Sequence, residues 1–112
     1  MTLAPTVSVV MAVYNGQKYL RQALDSVLAQ SFRDFEFIII DDGSKDRSLE
    51  ILERYAHADL RIRLLSRPNR GLTKSLNEGL DFARGDFIAR MDCDDICLPD
   101  RFKMQAAFLK EH

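Results

Sequence analysis

The chain has no tryptophan and only two cysteines, three prolines and five glycines among its 112 residues. Cys93 and Cys97 make a lone CxxxC, and nothing else supplies the two further ligands of a structural zinc site. So few cysteines suit a reducing cytoplasm, where a disulfide between them is not expected. No apolar run exceeds the length of a strand, so no membrane-spanning helix is expected. Met1 to Pro5 lacks the basic start and long apolar core of a secretory signal. Neither sign of charge dominates, since 16 basic and 17 acidic side chains leave a net charge of −1. A nucleic-acid-binding surface would need a basic excess, and there is none.

Several site motifs are missing as well. No GxGxxG follows the first apolar run, which disfavours a dinucleotide fold of the dehydrogenase type, and no GxxxxGK[ST] marks a P-loop. There is no GxSxG elbow. A phosphatase with a nucleophilic aspartate would usually carry it after the first strand, where this chain has Tyr14-Asn15.

What is present is a regular alternation. With 46% hydrophobic and 29% charged residues, the chain is expected to be one soluble, globular domain. Val7 to Val13 is a β-rich apolar run ending at the turn signal Tyr14-Asn15-Gly16. Leu20, Ala23, Leu24, Val27 and Leu28 then fall at helical spacing, which predicts a helix over Gln17 to Gln30. Phe35 to Ile40 is a second strand, closed by Asp41-Asp42-Gly43-Ser44, where Asp42 or Ser44 can cap the next helix. That helix presents Leu49, Leu52, Tyr55 and Ala56. Ile62 to Leu65 is a short third strand, and Leu72, Leu76, Leu80 and Ala83 mark a third helix. Phe87 to Met91 is a fourth strand, and Pro99 opens a last helix over Asp100 to Glu111.

The order β-α-β-α-β-α-β-α, with strands apolar throughout, predicts an α/β fold. Its sheet is doubly wound, mainly parallel, Rossmann-like and covered on both faces. Ligands of such sheets bind beyond the carboxyl ends of the strands. Three polar loops lie at that edge. The first, Ala12 to Gly16, offers a backbone edge and an aromatic ring to a flat base, or is simply an Asn-Gly turn. In the second, a cap explains one carboxylate of Asp41-Asp42 but not both; a strand-end carboxylate can accept from a base or a ribose hydroxyl. The third is Asp92-Cys93-Asp94-Asp95. Three carboxylates in four residues repel unless a cation sits among them, and hard oxygen ligands on a short loop suit Mg²⁺ or Mn²⁺. Alternation in an extended chain would put Asp92 and Asp94 on one side, with Cys93 and Asp95 on the other. Among Arg67, Arg70, Lys74, Arg90 and Arg101, Lys74 at the start of the third helix is best placed for a diphosphate. His57 and His112 have no partner in view, and Tyr19, Phe82 and Phe102 are expected to pack in the core or between helices.

Taken together, Val7 to Gly16, Phe35 to Ser44 and Gly85 to Asp95 resemble glycosyltransferase family 2, the inverting enzymes of the GT-A fold. Leu28 to Phe32, Asn69 to Leu72 and Leu98 to Arg101 support the resemblance, which covers Val7 to about Phe102. It implies a nucleotide-sugar site that includes Asn15, in which Ala12, Val13 and Tyr14 line the nucleobase pocket and Asp42 binds the base, uracil. Asp92 and Asp94 match the family's DxD element. Asp94 would be the main ligand of Mn²⁺ or Mg²⁺, with Asp92 near the ribose or the metal, Cys93 a backbone position beside the substrate and Asp95 a structural support. Lys74 lies where relatives often contact substrate, whereas Leu76 replaces a residue that is often basic in them.

The resemblance implies a UDP-sugar donor and a glycan or lipid-linked acceptor. It places the catalytic base downstream of DxD, so no catalytic base is named in this chain. The expected content of residues 1–112 is thus a single donor-binding part, truncated after the DxD loop, with the acceptor half absent. Such a fragment is expected to be inactive alone and to self-associate through uncovered sheet edge and apolar surface. The full-length protein is expected in the cytoplasm, at the inner face of the cell membrane, in cell-surface polysaccharide biosynthesis. Two alternatives stand beside this reading. One is a nucleotidyltransferase, although Tyr14-Asn15-Gly16-Gln17 is not the Gly-rich basic loop those enzymes carry. The other is a non-catalytic nucleotide-binding or assembly module.

Overall fold

The computed structural model describes residues 4–111; Met1 to Leu3 and His112 lie outside them. Eight elements follow in the predicted order: β1 (Val7–Val13), α1 (Gln17–Leu28), β2 (Phe35–Asp42), α2 (Ser48–Ala58), β3 (Ile62–Arg67), α3 (Leu72–Phe82), β4 (Phe87–Asp92) and α4 (Arg101–Glu111). Three strands run further than their apolar residues. β2 carries Asp41 and Asp42 inside the sheet, buried, because each stands beside a β3 residue, Ser66 and Arg67. All pairings are parallel and the strand order is β3-β2-β1-β4. The chain steps outward from β1 to β3, then crosses back to place β4 on the other side of β1. That reversal is the topological switch point of a doubly wound sheet.

One face of the sheet holds most of the core. Val9, Met11 and Val13 of β1, Phe37 and Ile39 of β2 and Met91 of β4 pack against Leu20, Leu24 and Val27 of α1, Leu52 of α2 and Phe102 of α4. Phe102 meets Phe35 edge to face, with ring centroids 5.4 Å apart. Burying each such side chain stabilises the fold by about 1.5–3 kcal/mol.

The opposite face is covered differently from the sequence expectation. Only α3 lies there, and it buries Ser75 and Gly79 rather than its leucines. A Cβ on Gly79 would sit 2.6 Å from Val10 Cγ1 and 3.4 Å from Ile40 Cγ1, so the helix approaches the sheet through its smallest residues. Leu72 and Leu80 are left exposed. β4 also departs from expectation: its residues alternate, with Ala89 and Met91 buried and Ile88, Arg90 and Asp92 exposed. Coverage on both faces therefore holds for β1 and β2 but not for β4, because no described element lies over that side.

A buried carboxylate ties the start of β4 to the sheet. Ser8 Oγ donates to Glu36 at 2.6 Å, the Arg84 N–H at 2.7 Å and its guanidinium at 3.1 Å, while Arg63 adds a bond at 3.3 Å. The Gly85 N–H donates to Ser8 Oγ at 2.8 Å. Burial pushes the Glu36 carboxyl up, but the bonds from Ser8, Arg84 and Arg63 outweigh it and hold the group below its ordinary 4.5.

Two predictions follow from this packing. Because the folded-state pKa of Glu36 lies below 4.5, its stabilisation is present above that pH and is lost as pH falls through the folded value. In urea titrations Glu36→Gln should be less stable than wild type by roughly 2 kcal/mol at neutral pH, and the gap should close in acid. A gap that does not change with pH would remove the carboxylate from this role. Gly79→Val should cost about 1–3 kcal/mol through overpacking against Val10, read as a lowered thermal midpoint; an unchanged midpoint would mean that α3 is not seated this closely.

Candidate functional site

At the switch point Ala12 pairs with Ile40 on one side and Asp92 on the other, and the loops beyond these strands meet. The turn after β1 passes through Asn15 in the left-handed region, φ 50°, which asparagine tolerates. Its Oδ1 accepts the Lys45 N–H at 2.8 Å, and its own N–H donates to Ser44 Oγ at 2.9 Å. The Gly16 N–H donates to Ser48 Oγ at 2.9 Å, and the Gln17 N–H to Asp46 at 3.2 Å. The first and second loops are thereby joined, and the Asn-Gly turn is used for its backbone. Asp46 accepts the Ser48 N–H at 2.8 Å at the start of α2. Neither Asp42 nor Ser44 caps that helix; the residue before it, Arg47, makes no side-chain cap bond.

Asp42 is fully buried. Its carboxylate accepts the N–H groups of Arg70 at 2.9 Å and Gly71 at 3.0 Å, Ser75 Oγ at 2.9 Å and Asn69 Nδ2 at 3.2 Å. These donors come from the turn into α3 and from the helix's first turn. Both oxygens of Asp42, expected to bind the base, hold the 69–75 segment onto the end of β2. Neighbouring Asp41 takes the Ser44 N–H at 3.2 Å on one oxygen, while the other is buried with no partner among the described residues.

The acidic loop closes on itself. The Asp95 N–H donates to the Asp92 carbonyl at 3.0 Å, and the Asp92 N–H to the Asp95 carboxylate at 3.0 Å. Extended alternation therefore stops at Asp92, and the turn gathers what it was expected to separate. Ligand oxygens of Asp92, Asp94 and Asp95 all lie within 4.8 Å of one another, on exposed side chains. An oxygen-only donor set of this charge fits a hard divalent cation. Arg90 stands 3.7 Å from Asp92, but both are exposed and such a pair contributes little.

Cys93 packs against the first loop, since a Cβ on Gly16 would be 2.8 Å from its Sγ. Burial first, then the charges of Asp94, Asp92 and Asp95, push its thiol up. Cys97 is buried, and both cysteines are free. The segment after the acidic loop is anchored on the end of α1. The Cys97 N–H donates to Ser26 Oγ at 2.9 Å, the Ser31 N–H to the Pro99 carbonyl at 2.8 Å and the Phe102 N–H to buried Gln30 Oε1 at 3.0 Å.

Two hollows adjoin at Ala12, Leu72 and Asp92. The smaller, about 390 Å³, lies under α3 and adds Thr73, Leu76, Asn77, Leu80, Arg90 and Met91. The larger, about 580 Å³, adds Asn15, Gly16, Lys18, Tyr19, Cys93 and Asp94. Of the residues singled out in the sequence, the structure brings together Ala12, Asn15, Asp92, Cys93 and Asp94. Val13 does not join them, because its side chain is in the core; Tyr14 is half-buried and Lys74 exposed, and neither lines a hollow. Arg67 and Arg70 are paired with Glu78 at 3.1 and 3.0 Å, and Arg101 lies against Met91 Sδ at 2.8 Å. Tyr19, expected to pack, is 47% exposed with Lys18 Nζ 5.2 Å from its ring centre. Lys18 and Tyr19 were legible only as residues just past the first loop; Thr73 and Asn77 share a helical face four residues apart, a signal hidden by the leucines around them.

The profile of "Glycosyl transferase family 2" matches residues 8–112. EpsE of Bacillus subtilis (strain 168), which bears a glycosyltransferase name, is 43% identical over the whole of this chain, which spans 41% of that relative. The chondroitin synthase of Pasteurella multocida (strain Pm70) is 35% identical over 96% of this chain, here only 11% of the relative. Among solved structures, S. aureus TarS 1-349 in complex with UDP is similar with a TM-score of 0.88 and 33% identity, over 96% of this chain and 32% of TarS. The mannosyltransferase PcManGT from Pyrobaculum calidifontis, in complex with GDP-Man and Mn²⁺, gives a TM-score of 0.79 at 25% identity over 96% of this chain and 32% of its own. The parallel sheet and its helices are those of GT-A glycosyltransferases, and the homologues are enzymes of that class. The chain spans less than half of the relatives it matches, and by profile and fold it belongs to glycosyl transferase family 2.

Proposed function

We propose that residues 1–112 are the donor-binding part of a glycosyltransferase and hold a UDP-sugar at the switch point between β1 and β4. In this reading the sugar passes with inversion to a glycan or lipid-linked acceptor. The observation that carries it is the carboxylate cluster of Asp92, Asp94 and Asp95 at the mouth of the two adjoining hollows. Support comes from neighbours solved with a nucleotide or nucleotide sugar: TarS with UDP and with UDP-GlcNAc, and PcManGT with GDP-Man and Mn²⁺.

Within this chain the roles divide by position. Asp94 and Asp92 would hold Mn²⁺ or Mg²⁺, with Asp95 fixing the turn and lending charge. A bound divalent cation supplies charge neutralisation for a diphosphate leaving group. Ala12, Asn15 and Cys93 shape the larger hollow, and the backbone of Val13 and Tyr14 offers the edge on which a base can rest. Asp42 acts one step away: its carboxylate fixes the Asn69–Gly71 turn, which sets Leu72 and Thr73 over the crevice. Lys74 stands at the rim, on the same first turn of α3. The base that deprotonates the acceptor hydroxyl belongs, in this reading, to an acceptor half outside these residues. No described helix is long and apolar enough to cross a membrane; a place at the cytoplasmic face of the membrane follows from the acceptor class proposed.

Isothermal titration of the chain with UDP should show binding that requires Mn²⁺, and Asp94→Ala should weaken it by at least about tenfold, or about 1.4 kcal/mol. Equal binding by wild type and variant would remove the metal from the assignment. Asp42→Ala leaves four donors without their acceptor and should lower stability by about 3 kcal/mol, with UDP affinity falling alongside. If the denaturant midpoint does not move, Asp42 does not hold the α3 turn.

A further inference from the structure

We propose that Gln30 and Ser26, at the end of α1, are positioning residues for the cation that the acidic turn would hold. The inference rests on the donor-site reading above. The chain enters the turn along β4, whose last residue, Asp92, is fixed beside Ala12. It leaves through residues 93–100, which belong to neither strand nor helix. That outgoing arm has no ladder of its own, and α1 supplies the bonds that hold it.

The Cys97 N–H donates to Ser26 Oγ at 2.9 Å, and the same hydroxyl donates to the Ala23 carbonyl at 2.8 Å. Gln30 is 1% exposed and uses both ends of its amide. Its Nε2 donates to the Leu98 carbonyl at 2.5 Å and to the Ser26 carbonyl at 3.4 Å. Its Oε1 accepts the Phe102 N–H at 3.0 Å, one of the groups that the start of α4 leaves without a partner inside the helix. Ser31 adds its N–H to the Pro99 carbonyl at 2.8 Å and its hydroxyl to Asp100. A buried amide satisfied at both ends has a single orientation, so this clamp specifies one path for the backbone.

Charge makes that path matter. Ligand oxygens of Asp92, Asp94 and Asp95 lie within 4.8 Å of one another, and like charges so gathered repel. An arm free to swing outward would let Asp94 and Asp95 move away from Asp92. The clamp begins at Cys97, two residues beyond Asp95, and restricts that escape. A cation entering a turn already held in place does not have to order it, and the ordering cost is removed from binding.

Mn²⁺ titrated into the 112-residue chain with UDP present, followed by electron paramagnetic resonance, tests this, because protein-held and dissolved ions give different spectra. Gln30→Met keeps the length of the side chain and removes its bonds. It should weaken Mn²⁺ binding by about tenfold while circular dichroism stays native. Ser26→Ala, which removes the acceptor of the Cys97 N–H, should weaken it in the same direction. Glu36→Gln is the control: it lowers stability at the opposite end of the sheet and should leave Mn²⁺ affinity at the wild-type value. Wild-type affinity in folded Gln30→Met, or in Ser26→Ala should the first variant not fold, would overturn the proposal. Equal weakening by Glu36→Gln would overturn it too, by reducing the effect to lost stability. Asp94→Ala separates this inference from the reading beneath it. If that variant also binds Mn²⁺ as wild type does, the donor-site reading fails and the positioning role falls with it.

Discussion

Because β4 pairs with β1 in the register that sets Ala12 beside Asp92, the chain steps from β1 toward β2 and β3 on one side and returns as β4 on the other. After β1 it turns into α1, on the face that holds the main core; the helix preceding β4, α3, lies on the other face. Between them nothing covers the strand ends, and a crevice opens there. Every feature of the candidate site depends on this one pairing. It brings the Asn15-Gly16 turn against Cys93, puts α3's leucines beside the acidic turn and leaves Asp92 at the seam of both hollows.

The network around that pairing is unusually polar for a core. Glu36 and Asp42, both nearly inaccessible, sit on the α3 side of β2 at its two ends. Each gathers donors from the chain around α3: Arg84 near its end for Glu36, and Arg70, Gly71 and Ser75 at its start for Asp42. Buried carboxylates are expensive unless surrounded by donors, and here the donors fix both ends of a helix that meets the sheet through Ser75 and Gly79. Small residues at Ser75 and Gly79 allow the close approach; the carboxylates set its position along the strands.

The fold was legible because it rests on periodicity and order: four apolar runs, intervening helical spacing and polar turns at each strand's carboxyl end. The acidic loop was legible for the same reason, since its charge had to be reconciled with a strand end. What was hidden depends on partners distant in sequence. Asp42 looks like a loop residue until Asn69 to Ser75 are folded over it. Leu72, Leu76 and Leu80 mark a helix correctly but not its buried face, because small-residue packing leaves no hydrophobic stripe. Asp94 and Asp95 seemed to point apart only while the segment was taken as extended; the reciprocal bonds between Asp92 and Asp95 reverse that. Lys18 and Tyr19 became visible as lining residues only once the first and fourth loops were seen to touch.

The account rests on a single crevice serving as a nucleotide-diphosphate site organised by the acidic turn. The most direct measurement is diffraction from crystals of this chain grown with UDP and Mn²⁺, using the anomalous signal of manganese to locate the ion. The account predicts one anomalous peak within coordination distance of Asp94 and Asp92, in contact with the diphosphate, and the base against the backbone after β1. Nucleotide bound elsewhere, or bound in this crevice with no manganese at the acidic turn, would contradict it.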